Sequence, residues 1–160
     1  MQFKTGIGYD IHRLVDERKL FIGGVEIPYI KGLLGHSDAD VLLHAICDAL
    51  LGACGESDIG ELFPDTDPRY QNISSSELLK IVADLIRKKN YEIVNIDSVI
   101  IAQEPKFSPF KKSIKESIAG ILGIKEESVN IKAKTNEGIG EVGAKEAIVS
   151  YATVLLTRRE

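Results

Sequence analysis

The sequence is poor in cysteine, in net positive charge and in long apolar runs, and each shortage removes a class of protein. Only two cysteines, Cys47 and Cys54, occur in 160 residues, so a core must form without a disulfide framework; a chain of this length can do that as one domain. The two lie seven positions apart in an apolar segment and read as buried thiols on one face of a helix, in a reducing compartment. Twenty basic against 24 acidic side chains leave a formal charge of -4. That argues against a sequence-independent nucleic-acid binder, which presents a basic surface to phosphate. No apolar run approaches the roughly 20 residues that cross a bilayer, and the N-terminus lacks the basic, apolar and small-residue order of a secretory signal. The expected setting is the cytoplasm, with no membrane and no nucleic acid as partner; an organelle form trimmed of its transit peptide would read the same way. Internal repeats and low-complexity linkers are also missing, so residues 1–160 are expected to share one core.

What is present is an ordinary globular composition, 44% hydrophobic and 28% charged, arranged as a mixture of strands and helices. Phe3 to Leu14 alternate loosely as a strand. Phe21-Ile22 and Val25-Glu26-Ile27 around Gly23-Gly24 form a tight hairpin ending at Pro28. Ser37 with Asp40 three positions later has the form of a helix-start capping box, and Leu42, Ile46, Ala49, Leu50 and Ala53 follow at helical spacing, giving a helix to about Leu51. Ser74 and Glu77 repeat the device for a helix carrying Leu78, Leu79, Val82, Leu85 and Ile86, closed by Arg87, Lys88 and Lys89. Val94 to Ile101 make a long strand. Ser108-Pro109 opens a third helix that Gly123 closes. Val129, Ile131 and Ala133 alternate as a strand, and Ala147 to Leu156 favour a final one. The order implies an α+β fold, a sheet covered on one face by helices.

Four segments could carry chemistry. Asp10 and His12, two apart on a strand, leave the same face and form a chelating pair. Ser37, Asp40, His44 and Asp48 form a polar stripe along an apolar helix, spaced three, four and four. Asp10, His12 and His44 together would offer one carboxylate oxygen and two imidazole nitrogens with a fourth position open, the form of a catalytic zinc site, with Asp40 or Asp48 orienting the His44 ring. Spacing alone serves equally a hydrogen-bonded core histidine and an ordinary turn aspartate, although all three histidines of the chain fall in or near these segments. Gly138-Ile139-Gly140-Glu141-Val142-Gly143 matches a lone dinucleotide-binding fingerprint, but the sequence up to Glu160 leaves no room for the second strand and acidic residue of that unit. A glycine-rich connection is favoured. Asp58, Asp65 and Asp67, with Gly60 and Pro64, read as turn chemistry and not as an EF-hand.

Taken together, Gly8-Tyr9-Asp10-Ile11-His12-Arg13, Gly35-His36-Ser37-Asp38-Ala39-Asp40 leading to His44, Asp58-Ile59-Gly60 to Phe63-Pro64-Asp65-Thr66-Asp67, Ile101-Ala102-Gln103-Glu104-Pro105-Lys106, and Ile131-Lys132-Ala133-Lys134-Thr135-Asn136-Glu137 occur in the order of one family's signatures. The chain resembles, over nearly its whole length, the 2-C-methyl-D-erythritol 2,4-cyclodiphosphate synthases of the non-mevalonate isoprenoid route. The resemblance implies a lyase that takes 4-diphosphocytidyl-2-C-methyl-D-erythritol 2-phosphate, joins its 2-phosphate to the β-phosphorus of its own diphosphate and expels CMP. It implies one zinc ion per chain on Asp10, His12 and His44, and a magnesium or manganese ion on Glu137 bridging the diphosphate. His36 and Ser37 would position the attacking phosphate, and His36 with Thr135 would stabilise the transition state. Asp58, Ile59, Gly60 and the segment Phe63, Pro64, Asp65, Thr66 and Asp67 would hold the methylerythritol. Ala102, Gln103, Glu104, Pro105, Lys106, Phe107 and Ser108, with Ala133, Lys134, Thr135 and Asn136, would build the cytidine pocket, supplied by the neighbouring subunit of a homotrimer. Lys134 and Asn136 stand where many relatives carry threonine. Glu141 and Ala144 replace an aromatic residue and an arginine that some relatives place at a cavity along the trimer axis, so weak or no binding of isoprenyl diphosphates is expected there, with Lys145 the one nearby cation.

From residues alone, the same donors would serve a metal-dependent phosphohydrolase, and a non-catalytic nucleotide-binding module is a third alternative. CMP with a cyclic product, inorganic phosphate, and binding without turnover are their respective signatures.

Overall fold

Strand β1 (Phe3–Asp16) frames the molecule because its residues alternate between two surroundings. Gly8 and Leu14 are buried and Asp10 and His12 half-buried on one face, while Phe3, Ile7, Tyr9 and Ile11 stand exposed on the other. The structure, a computed structural model, describes residues 2–158. A hairpin of β2 (Leu20–Ile22) and β3 (Val25–Ile27) follows, then β4 (Lys31–Leu33), helix α1 (Val41–Ala53), the short helix α2 (Ile59–Leu62), α3 (Ser75–Lys88) and β5 (Tyr91–Ile101). A 3-10 turn at Ser108–Phe110 leads into α4 (Lys111–Leu122), and β6 (Val129–Lys134), α5 (Gly140–Gly143) and β7 (Ala147–Arg158) complete the order. The five-stranded sheet runs β4-β1-β7-β5-β6, antiparallel except for the β5–β6 pair.

The helices cover one face, as the sequence implied. The other face leaves Ile7, Tyr9, Ile11 and Tyr151 open, with Ile7 68% exposed. Helix α1 lies almost on the backbone of β1. Its residues facing the strand are Ala45, Ala49 and Ala53, and β1 opposes them with Gly6 and Gly8; a Cβ on Gly8 would fall on the Ala45 carbonyl oxygen, and one on Gly6 on that of Ala49. This contact brings His44 beside Asp10 and His12. Among the described residues, no helix is long and apolar enough to cross a membrane.

The structure corrects three expectations. Helix α1 starts at Asp40, not in a box opened by Ser37: the Asp40 side chain accepts the Leu43 amide at 3.1 Å and also the amides of Gly23 and Gly24, at 2.9 and 2.7 Å. Asp40 is therefore a fully buried tie between helix and hairpin, and not part of a stripe facing a site. Only Cys47 is a buried thiol; Cys54 is the C-cap of α1 and half-buried. The run Gly138 to Gly143 does connect two strands, but it contains the single turn α5 and is close-packed, Gly143 lying against the Gly138 carbonyl with no room for a Cβ. The strand β4 and the helices α2 and α5 had no sequence signal, being three or four residues each.

Candidate metal centre and cleft

Asp10 Oδ2, His12 Nε2 and His44 Nδ1 converge on one point. They lie 2.9 Å (Asp10–His12), 3.0 Å (Asp10–His44) and 3.2 Å (His12–His44) apart. Among the described residues this is the one group of three whose donor atoms could share a metal ion. A tetrahedral ion with bonds near 2.0–2.1 Å wants donors separated by roughly 3.3 Å, so the triangle is nearly of that size.

The hydrogen bonds behind the donors favour the same use. His12 Nδ1 donates to the Leu34 carbonyl at 2.8 Å, which leaves Nε2 as a lone pair. His44 Nε2 meets Ser75 Oγ at 3.0 Å, so Nδ1 is the nitrogen turned toward Asp10 and His12. Two imidazole nitrogens then face each other beside a carboxylate, an arrangement that needs a cation or a proton at its centre. Burial alone would raise the Asp10 carboxyl, but hydrogen bonds to His12 and His44 and their charge outweigh it and hold the group down at about 2. Burial alone would lower His12, and the Asp10 hydrogen bond and charge, with the Leu34 carbonyl, raise it above its ordinary value. The donor set fits a divalent metal, with the fourth direction toward a cleft.

That cleft, of about 190 Å³, has His12 and His44 at its floor, Gly35, His36 and Ser37 on one lip, and Ile59, Gly60, Phe63 and Asp65 on the other. The His36 ring, largely exposed, reaches Asp65 Oδ2 at 3.2 Å across the opening. Arg18 fastens the first lip, donating to the Gly35 carbonyl at 3.3 Å and the Ser37 carbonyl at 2.6 Å. The acidic loop behaves partly as turn chemistry, since Asp58 caps α2 through the Glu61 amide and Asp67 binds the Arg69 backbone and guanidinium. Pro64, Thr66 and Asp67 do not line the cleft, while Tyr70, Asn72, Ile73 and Leu78 do. Phe63 and Tyr70 meet edge to face at 5.0 Å. These four residues had no motif to mark them.

The remaining expected residues form a second group. Ala102 N donates to the Lys134 carbonyl at 3.0 Å, Gly138 N donates to Gln103 Oε1 at 3.1 Å, and Glu137 N to Thr135 Oγ1 at 3.3 Å. None of Ala102 to Ser108 or Ala133 to Glu137 lines the cleft. Asp10, Ser150, Ile100 and Ala133 occupy one row across the sheet, so the second group starts three strand spacings from the donors, roughly 14 Å. Lys145, the cation noted near Glu141, is paired with Glu104 at 2.8 Å.

Neither the Asp40 nor the Asp48 carboxylate hydrogen-bonds the His44 ring. Asp40 is spent on three amides, and Asp48 accepts the Ile59 amide at 2.9 Å. The partner of His44 is Ser75, 31 positions away at the start of α3, and no local pattern could have joined the two.

The YgbB family model matches residues 3–157. The 2-C-methyl-D-erythritol 2,4-cyclodiphosphate synthase of Caldicellulosiruptor bescii is 60% identical over 154 residues, 96% of this chain and 98% of that protein. The one from Clostridium acetobutylicum is 59% identical over 153 residues, 96% and 99% of the two. Among solved structures, the bifunctional IspDF of Campylobacter jejuni superposes with a TM-score of 0.95 at 42% identity, covering 99% of this chain and 43% of that longer one. A CDP complex of IspF from Plasmodium falciparum gives 0.87 at 40% identity, covering 99% and 97%. The shared fold, the near-complete coverage and identities well above the level of chance place this chain in the YgbB family, the 2-C-methyl-D-erythritol 2,4-cyclodiphosphate synthases, enzymes of isoprenoid synthesis.

Proposed function

We propose that the chain converts 4-diphosphocytidyl-2-C-methyl-D-erythritol 2-phosphate into 2-C-methyl-D-erythritol 2,4-cyclodiphosphate and CMP, as a homotrimer with a site at each subunit interface. A bond forms between an oxygen of the 2-phosphate and the β-phosphorus, and the bond from that phosphorus to the bridging oxygen breaks, leaving the oxygen on CMP. Water is not consumed. The observation that carries the proposal is the set of three converging donors at the floor of a cleft whose other expected half, residues 102–108 and 133–137, lies three strands away on the same chain. A neighbour's copy of that half would complete the cleft, and the open apolar sheet face of Ile7, Tyr9, Ile11 and Tyr151 supports burial against further copies.

Within the site, Asp10, His12 and His44 would hold zinc and Glu137 of a neighbouring copy magnesium or manganese, ions whose chemistry is to neutralise the two phosphates and polarise the one under attack. His36 and Ser37, fixed by Arg18, orient the attacking phosphate, and His36 and Thr135 donate to its developing charge. The apolar side chains of Ile59 and Phe63 receive the methylerythritol, and Ala102 to Ser108 with Lys134 and Thr135 receive the cytidine. Because the nucleophile and electrophile belong to one molecule, the site's work is to hold that molecule with its 2-phosphate in line with the β-phosphorus and to neutralise the two phosphates.

The test is metal content measured with turnover. The wild-type protein should carry one zinc per chain by elemental analysis and release CMP; His44→Ala should lose most of both. Full zinc occupancy in that variant would remove His44 from the site.

A further inference from the structure

We infer that Asp38 and Ser75 are positioning residues that fix His44 as a metal ligand. Ser75 Oγ stands 3.0 Å from His44 Nε2 and donates to Asp38 Oδ1, while the Ser75 amide donates to the Asp38 carboxylate at 3.2 Å. Ser75 is 1% exposed, so water does not compete for its hydroxyl. The protons can run in only one direction. An ionised carboxylate accepts and never donates, so the hydroxyl must point its proton at Asp38 and offer a lone pair to His44. His44 must then carry its proton on Nε2, which frees Nδ1 to face Asp10 and His12. The relay thus selects the tautomer the site needs, from α3, an element that contributes no donor atom of its own. Carboxylate partners of metal-bound histidine do the same elsewhere by direct contact; here a serine is interposed.

Asp38 also serves the fold, since the Ser75 amide is one of the free donors at the start of α3. Three substitutions separate the roles. Ser75→Ala removes the hydroxyl and keeps the amide. Asp38→Asn keeps an acceptor for that amide but turns an NH₂ toward Ser75 Oγ, which reverses the relay and puts the His44 proton on Nδ1. Ser74→Ala removes the side-chain cap of α3, which accepts the Glu77 amide, and leaves the relay intact.

The inference rests on the metal assignment of the proposed function, so zinc affinity of the metal-free wild type is measured first, by competition with a chromophoric chelator. Ser75→Ala and Asp38→Asn should each weaken zinc binding roughly 10- to 100-fold, and nitrogen-15 spectra of metal-free Asp38→Asn should show His44 moved from the Nε2–H to the Nδ1–H form. Ser74→Ala should lower the melting temperature with zinc affinity unchanged. Wild-type affinity in both relay variants, with the His44 tautomer unaltered, would overturn the relay alone. A wild-type protein that binds no zinc would instead overturn the metal assignment beneath it.

Discussion

Without a cation, the Asp10 carboxylate favours a proton on the His12 imidazole beside it, and a metal must displace that proton to bind. The Asp10 contact raises His12 above the ordinary histidine value while Asp10 itself is held at about 2, so acid acts on this site through the imidazole. The sign follows directly. As pH falls through the raised His12 value, protonated His12 gains and free ligand is lost, and zinc affinity drops; as pH rises above it, affinity levels off. Chelator competition from mildly acidic to mildly alkaline pH should therefore show a break above about 6.5. A break at or below that value would mean that Asp10 does not stabilise the imidazolium. Asp10 and His12 were legible in the sequence because strand alternation puts positions two apart on one face. Ser75 was not, because its meeting with His44 depends on how α3 docks onto α1.

At the level of elements, the contact of α1 with β1 decides whether the site exists. Gly8 sits between Tyr9 and Ile7 on a strand that could otherwise carry a side chain there, and it is empty because the Ala45 carbonyl fills the space. Gly8→Ala should push α1 outward, cost about 2–3 kcal/mol of stability by urea denaturation, and withdraw His44 enough to weaken zinc binding as well. Gly52, on the exposed side of the same helix with nothing within 4 Å of an added Cβ, is the contrast. Gly52→Ala should stabilise the protein by about 0.5 kcal/mol with zinc binding unchanged. A Gly8→Ala protein as stable as the wild type would show that the helix is free to shift. The helices themselves were readable where propensity and capping act locally: Ser74 caps α3 through the Glu77 amide as its spacing implied, and Gly123 ends α4 in a left-handed conformation. The start of α1 was misplaced because Asp40 is chosen by a distant hairpin as much as by its own helix, its carboxylate gathering the amides of Gly23 and Gly24.

For the whole molecule, the expected site falls into two groups that one chain keeps three strands apart, and the proposed function joins them across a subunit interface. If each cleft is completed by a neighbour's residues 102–108 and 133–137, an inactive His12→Ala chain and an inactive Thr135→Ala chain should regain partial turnover when refolded together, and light scattering should report three chains per particle. A monomer, or mixtures as inactive as their parents, would place both halves in one chain. The three converging donors could be singled out from spacing, since they share one strand face and one helix, but spacing did not separate a metal site from ordinary polar residues. The half expected to hold the nucleotide could be named only by resemblance: its residues are the last two of β6 and the segments that follow β5 and β6, with Ala102 and Phe107 buried among exposed and half-buried neighbours and no spacing to mark their purpose. The same three donors could in principle activate water, and the identity of the product separates that outcome from cyclisation. Incubation of the zinc- and magnesium-loaded protein with 4-diphosphocytidyl-2-C-methyl-D-erythritol 2-phosphate, followed by phosphorus NMR, should show CMP and a pair of coupled diphosphate resonances of the cyclic product in equal amounts; inorganic phosphate in place of the cyclic diphosphate would contradict the account.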